Sequence, residues 1–388
     1  MTRIGFAYNQ KPHSEEHPPS TRRDSASRAT QLSASPRDAR GFAVAGDDMF
    51  AEWDSPETID AVASALAAYG EVIRLEATAE FPERLRAEHP DIVFNIAEGL
   101  HGTNREAHVP AICEFLNVPY SGSDPFTLSL CLHKARTKEV LSFHGVPTAT
   151  FALIETADGR QAAGHGLAYP LFVKPVQEGS SKGITERNFV RTPAAFDEQV
   201  RFLLETYQQP VIAEEFLPGA EFTCGVLGNG DTARVLPIVA INFDSLPKGA
   251  VPIYGFEAKW VWDTPDEPLD IFECPARIGA SLQSAIEDVV LRAYRVLGCR
   301  DWSRIDVRLD AAGVPNIVEV NPLPGILPNP EDNSCLPKAA RAAGMSYDEL
   351  IQAALLHAAE RNGVRLRATK RRKRPEPRVP STESLQTA

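Results

Sequence analysis

The spacing of apolar residues predicts a β-α-β arrangement in the first 133 residues of the chain. A strand is predicted at the N-terminus, because apolar residues alternate with other residues there at Ile4, Phe6 and Tyr8. A helix is predicted over 55–69, and buried strands follow at 72–75 and 91–96. A further helix is predicted over 105–116. Strands that alternate with helices in this way favour a mostly parallel sheet.

The order of elements changes to an α+β type after residue 122. Helices are predicted at 134–143 and 193–205, among strands near 150, 171–175, 211–214 and 221–227. A third unit then contains a long helix, a hairpin and a closing helix, at 276–297, 302–321 and 347–361. The predicted domains are therefore an N-terminal α/β domain, a central subdomain and a C-terminal subdomain, at 1–133, 134–221 and 222–363.

Two segments have too few apolar residues to form a core. Residues 10–40 are rich in Ser, Pro, Arg and His, and residues 364–388 hold eight Lys or Arg against two Glu. We expect the first to be a disordered insert in the N-terminal domain and the second to be a disordered basic tail. The formal charge of the whole chain is −12, so the body of the protein is acidic. An acidic body disfavours nucleic acid as a partner.

The composition also indicates the cellular compartment of the protein. No apolar run approaches the roughly 18 residues that a membrane-spanning helix needs, so no membrane association is expected. The six cysteines form no CxxC pair, which argues for free thiols and against zinc. The N-terminus lacks the long apolar stretch of a signal peptide. We therefore expect a cytoplasmic protein.

The hairpin at 302–321, WSRIDVRLDAAGVPNIVEVN, predicts a metal site. If the turn centres on residues 312–313, Asp306 and Glu319 become direct cross-strand neighbours on the polar face. Two carboxylates at such a short distance repel each other unless a cation lies between them. Asn321 adds an amide oxygen, and an oxygen-only set suits Mg²⁺, which usually binds carboxylates together with substrate phosphates. A hairpin with solvated polar residues is the weaker alternative.

Two other segments have features of a nucleotide site. In LFVKPVQEGSSKGI, 171–184, a strand delivers Lys174 and opens into a loop whose backbone N–H groups and serine hydroxyls can donate to phosphate oxygens. In VIAEEFLPGAEF, 211–222, peptide groups can form hydrogen bonds with the edge of a purine base, and a carboxylate can accept hydrogen bonds from both ribose hydroxyls. Each segment alone is also explained without a ligand, the first as an ordinary hairpin loop and the second as a charged turn.

Together these segments resemble the D-alanine–D-alanine ligase family of the ATP-grasp superfamily. The resemblance covers about 91–362, in the stretches VPYSGS, HKARTK, PLFVKPVQEGSSKGI, EEFLPGAEFTCGVLG, FEAKW, SRIDVRLD and VEVNPLPGILP. It implies an ATP-grasp fold of mixed α/β and α+β class, in which an N-terminal parallel-sheet (preATP-grasp) domain precedes two α+β lobes that clamp ATP.

The resemblance implies a role for each matching residue of the nucleotide site. The lysines would contact the ATP phosphates, Glu214 and the peptide groups as far as Leu217 would contact the adenine, and Glu221 would contact the ribose. The serines would lie in the loop that covers the phosphates. The full set is Lys134, Lys174, Ser180, Ser181, Glu214, Glu215, Phe216, Leu217, Glu221 and Lys259.

The remaining roles concern the metal and the amino acid substrates. Arg304 would stabilise the oxyanion of a tetrahedral intermediate, and Ser180 would assist catalysis from its loop. Ser334, near Gly325, would receive the carboxylate of the second substrate. Two Mg²⁺ ions, for which Mn²⁺ can substitute, would bind the hairpin residues Asp306, Glu319 and Asn321.

The departures from the family pattern lie on the amino acid side. The family's Gly-Gly-x-Ser-x-Glu-Arg stretch, whose Glu binds the ammonium group of the first amino acid, has no clear counterpart in this chain. Glu52 is taken as the substitute, with Asp47 and Asp48 as alternatives, and Trp260 replaces a usual Tyr. The other differing or ambiguous positions are Glu98, His101, His133 and Cys335.

The sequence therefore predicts an ATP- and Mg²⁺-dependent ligase that joins a carboxylate to an amine through an acyl phosphate. D-alanine–D-alanine ligation is the best-named activity, and another amino acid or peptide pair is a close alternative. A nucleotide-binding regulator without turnover ranks lower, since the catalytic and metal residues are all retained. The partners expected are small-molecule amino acids or peptides, and the oligomeric state stays open, a homodimer included.

Overall fold

The fold was examined in a computed structural model of the chain. It describes residues 1–12, 50, 52–158, 166–179, 181–255, 258, 262 and 269–368. None of the helices in these ranges is both long enough and apolar enough to cross a membrane.

A three-stranded parallel sheet forms the N-terminal unit, as predicted. Its strands β1 (Arg3–Tyr8), β2 (Glu71–Glu76) and β3 (Ile92–Asn95) lie in the order β2-β1-β3. The helices are α1 (Pro56–Leu66), α2 (Phe81–Glu88), α3 (His108–Phe115) and α4 (Pro125–Leu132). Ser55 caps α1 through its side chain, as its type suggests. The predicted helix over 105–116 is instead a 3₁₀ turn at 105–107 followed by α3.

The central unit is an antiparallel four-stranded sheet with two helices. The order is β4-β7-β5-β6, and the helices pack close to it. The elements are α5 (Lys134–Phe143), β4 (Phe151–Ile154), β5 (Leu171–Pro175), β6 (Phe189–Val190), α6 (Pro193–Tyr207) and β7 (Val211–Glu215).

The C-terminal unit is built on a six-stranded antiparallel sheet. The main order is β11-β10-β8-β12-β13, and β9 pairs with β8. The strands are β8 (Glu221–Leu227), β9 (Arg234–Val235), β10 (Val239–Ile241), β11 (Phe272–Glu273), β12 (Trp302–Leu309) and β13 (Pro315–Asn321). The helices are α7 (Ala280–Val296), α8 (Cys335–Ala342) and α9 (Tyr347–Arg361).

The register of the β12–β13 hairpin confirms the predicted pairing of Asp306 with Glu319. The register changes by one residue immediately after this pair, so that Val307 lies opposite Ile317. The residue left over is Val318, which faces the cavity described below, whereas Ile317 and Val320 both join the core. A bulge of this kind re-aims side chains beside a site, and here it brings the two carboxylates to one face.

The N-terminal and C-terminal units share one hydrophobic core. It joins β1, β3 and α1 to Trp302 and the two last helices, and Phe94 packs edge-on against Trp302 at 5.4 Å between ring centroids.

Val364 and Leu366 also pack against this core, so the predicted start of the basic tail at 364 is too early. The predicted start of the insert is also too early, because Gln10 pairs with Asp54. The rest of the two predicted segments, 13–40 and 369–388, lies outside the described residues.

Asp301 joins the same two units through polar contacts. Its buried carboxylate accepts hydrogen bonds from Gly122 N at 2.8 Å, Asn229 Nδ2 at 2.8 Å and Arg361 Nη2 at 2.8 Å. Arg361 also reaches the carbonyl of Tyr120 at 3.1 Å. One carboxylate therefore connects the end of the N-terminal unit, β12 and the last helix.

Replacing Asp301 with Ala should lower the free energy of unfolding by about 3–5 kcal/mol, because the guanidinium of Arg361 loses its counter-ion in a largely buried position. Urea denaturation measures the change. Asp288→Ala is the control, since its pair with Arg292 on α7 is exposed and 3.7 Å long, and it should change the stability by less than about 1 kcal/mol. Equal effects of the two substitutions would contradict this account.

Candidate active site

A cavity of about 370 Å³ lies where the three units meet. Strands β5 and β7 of the central sheet form one wall, β8, β12 and β13 form another, and residues of the N-terminal unit close one end. The cavity is lined by every predicted site residue that the structure describes: Glu52, Lys134, Lys174, Ser181, Glu214, Glu215, Phe216, Leu217, Glu221, Arg304, Asp306, Glu319, Asn321, Gly325 and Ser334. Ser180, Lys259, Trp260, Asp47 and Asp48 lie outside the described residues.

A buried triad of two lysines and a glutamate lines the cavity on the side predicted to bind the nucleotide. Glu214 on β7 forms ion pairs with Lys138 Nζ and with Lys174 Nζ, each at 2.9 Å. Burial alone would raise the pKa of Glu214, but the two lysines lower it to about 2. Burial lowers the pKa of Lys138, whereas for Lys174 the effect of burial is outweighed by the carboxylates of Glu214 and Glu319, and its pKa is raised.

Sequence reasoning missed Lys138, although a signal was present. Lys134 and Lys138 are four residues apart, so they lie on one face of α5. Both side chains are buried, Lys134 with 4% and Lys138 with 2% of its surface exposed. Buried lysines on one helix face need buried acceptors, and Lys134 finds Glu319 at 2.9 Å and the carbonyl of Glu178 at 2.5 Å.

Arg308 is a second buried cation that the sequence pattern did not single out. Its guanidinium pairs with Glu221 at 2.7 Å and lies over the rings of Phe216, at 4.5 Å, and Phe243, at 5.1 Å. Burial raises the pKa of Glu221, and Arg308 opposes that rise. Phe216 also packs against Phe189 at 4.6 Å. Arg308 thus fixes the carboxylate that was predicted to bind ribose.

The hairpin carboxylates lie among cations and hydroxyl donors. Asp306 accepts from Thr223 Oγ1 at 2.5 Å and from Arg304 Nη2 at 3.1 Å, and Asn321 Nδ2 lies 3.5 Å away. Glu319 is paired with Lys134, and although its burial would raise its pKa, Lys134 and Lys174 lower it. The donor set contains oxygen ligands from two opposed carboxylates and one amide, so it fits a hard cation such as Mg²⁺.

Glu52 lies at the end of the cavity formed by the N-terminal unit, in a network of cations. Arg105 Nη2 donates to its two oxygens at 3.0 and 3.1 Å, and Lys182 Nζ at 2.9 Å. The backbone N–H of Gly179 donates at 3.0 Å, and a Cβ on Gly179 would lie 2.4 Å from the Glu52 carboxylate. Glycine at 179 therefore allows this close approach. Glu52 joins the Gly-Ser-Ser-Lys-Gly loop to the N-terminal unit.

Ser334 lies at the start of α8, on the C-terminal side of the cavity. Only 6% of its surface is exposed, and its Oγ accepts from Leu327 N at 3.2 Å and lies 3.4 Å from the carbonyl of Gly325. Apart from its chain neighbours, no atom of the described residues lies within 4 Å of a Cβ built on Gly325, so open space adjoins this glycine. Ser334 and Gly325 thus form one corner of the cavity.

Comparison with known proteins agrees with this architecture. Residues 140–356 match the family model described as the D-ala D-ala ligase C-terminus. D-alanine–D-alanine ligase of Cupriavidus taiwanensis is 36% identical over 262 residues, which cover 67% of this chain and 73% of that protein. The Delftia acidovorans D-alanine–D-alanine ligase is 34% identical over 276 residues, which cover 71% and 78%.

Solved structures show the same fold at lower sequence identity. The Bacillus anthracis D-alanine–D-alanine ligase, in complex with ATP, matches with a TM-score of 0.65 and 20% identity over 94% of this chain and 99% of that chain. The VanG D-Ala:D-Ser ligase of Enterococcus faecalis matches with a TM-score of 0.62 and 21% identity, over 92% and 99%. The chain therefore has the ATP-grasp fold, belongs to the D-alanine–D-alanine ligase family and is an ATP-dependent ligase of that kind.

Proposed function

We propose that this protein joins two amino acids by an amide bond and cleaves ATP to ADP and phosphate. The observation that carries the proposal is the convergence of buried lysines, opposed hairpin carboxylates and Arg304 on one cavity. D-alanine, named for the relatives, is the first substrate to test, and another amino acid pair is the alternative. The use of ATP and the six free cysteines fit a cytoplasmic location.

In the proposed binding mode, the two buried lysines that pair with carboxylates in this structure bind the phosphates. Lys134 and Lys174 hold Glu319 and Glu214 respectively, and phosphate oxygens would compete for the same ammonium groups. Glu214, with the peptide groups as far as Leu217, would bind the adenine, and Glu221 the ribose. Lys138 would then remain as the counter-ion of Glu214.

Asp306, Glu319 and Asn321 would hold the proposed Mg²⁺. When bound, the metal would neutralise charge on the phosphates. In this structure Lys134 and Arg304 pair with carboxylates of the same set, and this positive charge beside them supports the proposal of a cation site.

The proposed reaction has two steps. An oxygen of the donor carboxylate attacks the γ-phosphorus, the bond to the bridging oxygen of ADP breaks, and an acyl phosphate forms. The acceptor amine, after loss of a proton, then attacks the acyl carbon, and the bond to the phosphate oxygen breaks. Arg304, partly buried beside Asp306, would stabilise the negative oxygen of the tetrahedral intermediate. Ser334 would bind the acceptor's carboxylate.

The direct test is to incubate the protein with ATP, Mg²⁺ and a panel of D- and L-amino acids. ADP and phosphate release should depend on the amino acid, and mass spectrometry should find the dipeptide. Asp306→Asn and Glu319→Gln should each abolish product formation, because each removes a charged ligand of the metal. Asp310→Asn is the control, since its side chain only caps the hairpin turn. Wild-type turnover in Asp306→Asn at saturating Mg²⁺ would contradict the metal assignment.

Lys138→Met should weaken ATP binding at least about tenfold, because Glu214 would lose one of its two buried counter-ions and a lysine engaged by phosphate could not replace it. The effect should appear in KM for ATP more than in kcat. Calorimetry with a non-hydrolysable ATP analogue checks the affinity. Lys248→Met is the control, because Lys248 lies exposed in a loop. Unchanged ATP affinity in Lys138→Met would show that Lys138 serves folding alone.

Arg308→Met should reduce the preference for ATP over 2′-deoxy-ATP, because Glu221 would no longer be held by its ion pair. We expect the ratio of the affinities for ATP and 2′-deoxy-ATP to fall about tenfold, because this is the contribution of one hydrogen bond to a charged group. Competition between the two nucleotides measures this ratio independently of the turnover of either. A variant that binds both nucleotides more weakly but by the same factor would assign Arg308 to base stacking instead.

A further inference from the structure

The end of the cavity near Glu52 carries more carboxylates than its neighbouring basic residues neutralise. The acids that line it are Glu52, Asp54, Glu98 and Glu106. The basic residues described beside them are Arg105 and Lys182, which pair with Glu52, and Lys11, which interacts electrostatically with Asp54. Glu98 and Glu106 are left without a paired cation among the described residues.

Glu52 has no free place for a substrate ammonium group. One oxygen accepts from Arg105 and Gly179 N, and the other accepts from Lys182 and Arg105. An ammonium group would have to displace one of these donors. Lys182 is further held by Glu178 at 2.8 Å. The contacts of Glu52 therefore suit a residue that fixes a loop.

Glu106 is an unpaired carboxylate at the same end of the cavity. Only 9% of its surface is exposed. No described residue donates a hydrogen bond to its side chain or lies within ion-pair distance of it, although Arg105 precedes it in the chain. Arg105 turns toward Glu52, whereas Glu106 lines the cavity. Glu98 lies close enough for the two carboxylates to interact.

The position of Glu106 suits a contact with a donor amino acid. It interacts electrostatically with Glu52 of the loop network and with Lys134 and Glu319 of the proposed phosphate and metal residues, and all four line the same cavity. A donor whose carboxylate attacks the γ-phosphate at Lys134 carries its α-ammonium group one carbon atom away. That group would face Glu106.

Charge balance supports the same placement. Burial and the nearby Glu52 raise the pKa of Glu106 to about 7, although Arg105 opposes the rise, and burial together with Glu106 raises the pKa of Glu98. In the absence of a cation, these carboxylates therefore keep their protons to a higher pH than a free glutamate does. A bound ammonium group would favour their ionised form, and protons would leave the protein on binding.

We propose that the α-ammonium group of the donor amino acid binds between Glu98 and Glu106, and that Glu52 holds the loop of Gly179 and Lys182 beside it. The inference rests on the proposed ligase function. It implies that the site prefers an amino acid as donor over a hydroxy acid or a simple carboxylic acid.

The test compares D-alanine with D-lactate, which carries a hydroxyl in place of the ammonium group, as donors to D-alanine. Glu106→Gln and Glu98→Gln keep the side-chain shape and remove the charge. Each should lower the preference for D-alanine over D-lactate at least about tenfold, with KM for ATP changed less than about twofold. Glu83→Gln, on the exposed face of α2, is the matched control and should change neither.

A second measurement uses the unsubstituted protein. Calorimetry of D-alanine binding in the presence of a non-hydrolysable ATP analogue, at pH 7 in buffers of different ionisation enthalpy, should show proton release, and Glu106→Gln should release fewer protons. A D-alanine preference within twofold of wild type in both Gln variants, or binding without proton release, would overturn the inference. Absence of ADP formation with every donor would instead reject the ligase function itself.

Discussion

The structure depends on the pairing of buried charges across the cavity. Lys134, Lys138 and Lys174 are almost completely buried, and each is stable in that position because a carboxylate of another element lies within 3 Å. These pairs join α5 and β5 to β7 and β13, and so they join the central unit to the C-terminal sheet. In the proposed binding mode, phosphate groups replace the carboxylates as partners of Lys134 and Lys174, so the same lysines would serve both folding and binding.

The balance of acidic and basic side chains differs between the two ends of the cavity. This difference would orient a bound amino acid. The lysines Lys134, Lys138 and Lys174 line the end that we propose for the nucleotide, whereas the end at Glu98 and Glu106 has an excess of carboxylates and suits an ammonium group. An α-amino acid carries a carboxylate and an ammonium group one carbon apart. In the proposed binding mode, its carboxylate therefore points toward the phosphates and its ammonium group toward Glu98 and Glu106.

The loop that follows β5 connects the two ends. Glu178 and Lys182 pair with each other, the carbonyl of Glu178 accepts from Lys134, and Lys182 and Gly179 N hold Glu52. The loop thereby links the proposed donor subsite through short polar contacts to Lys134, the lysine proposed to bind phosphate. The shared core around Trp302 provides the rigid support for this arrangement, because it fixes the N-terminal unit against the hairpin strands.

The sequence by itself determined the class of fold and the pairing of Asp306 with Glu319, because family motifs and strand alternation are properties of short stretches of chain. The residues assigned to the nucleotide stay a prediction. Only the tertiary structure decided the partners of Lys138, Arg308 and Glu52, since each pairs with a residue distant in the chain. It also decided that Glu106 is unpaired although Arg105 is its neighbour in sequence. Burial and long-range pairing set the charge state of such groups, and neither can be read from local pattern.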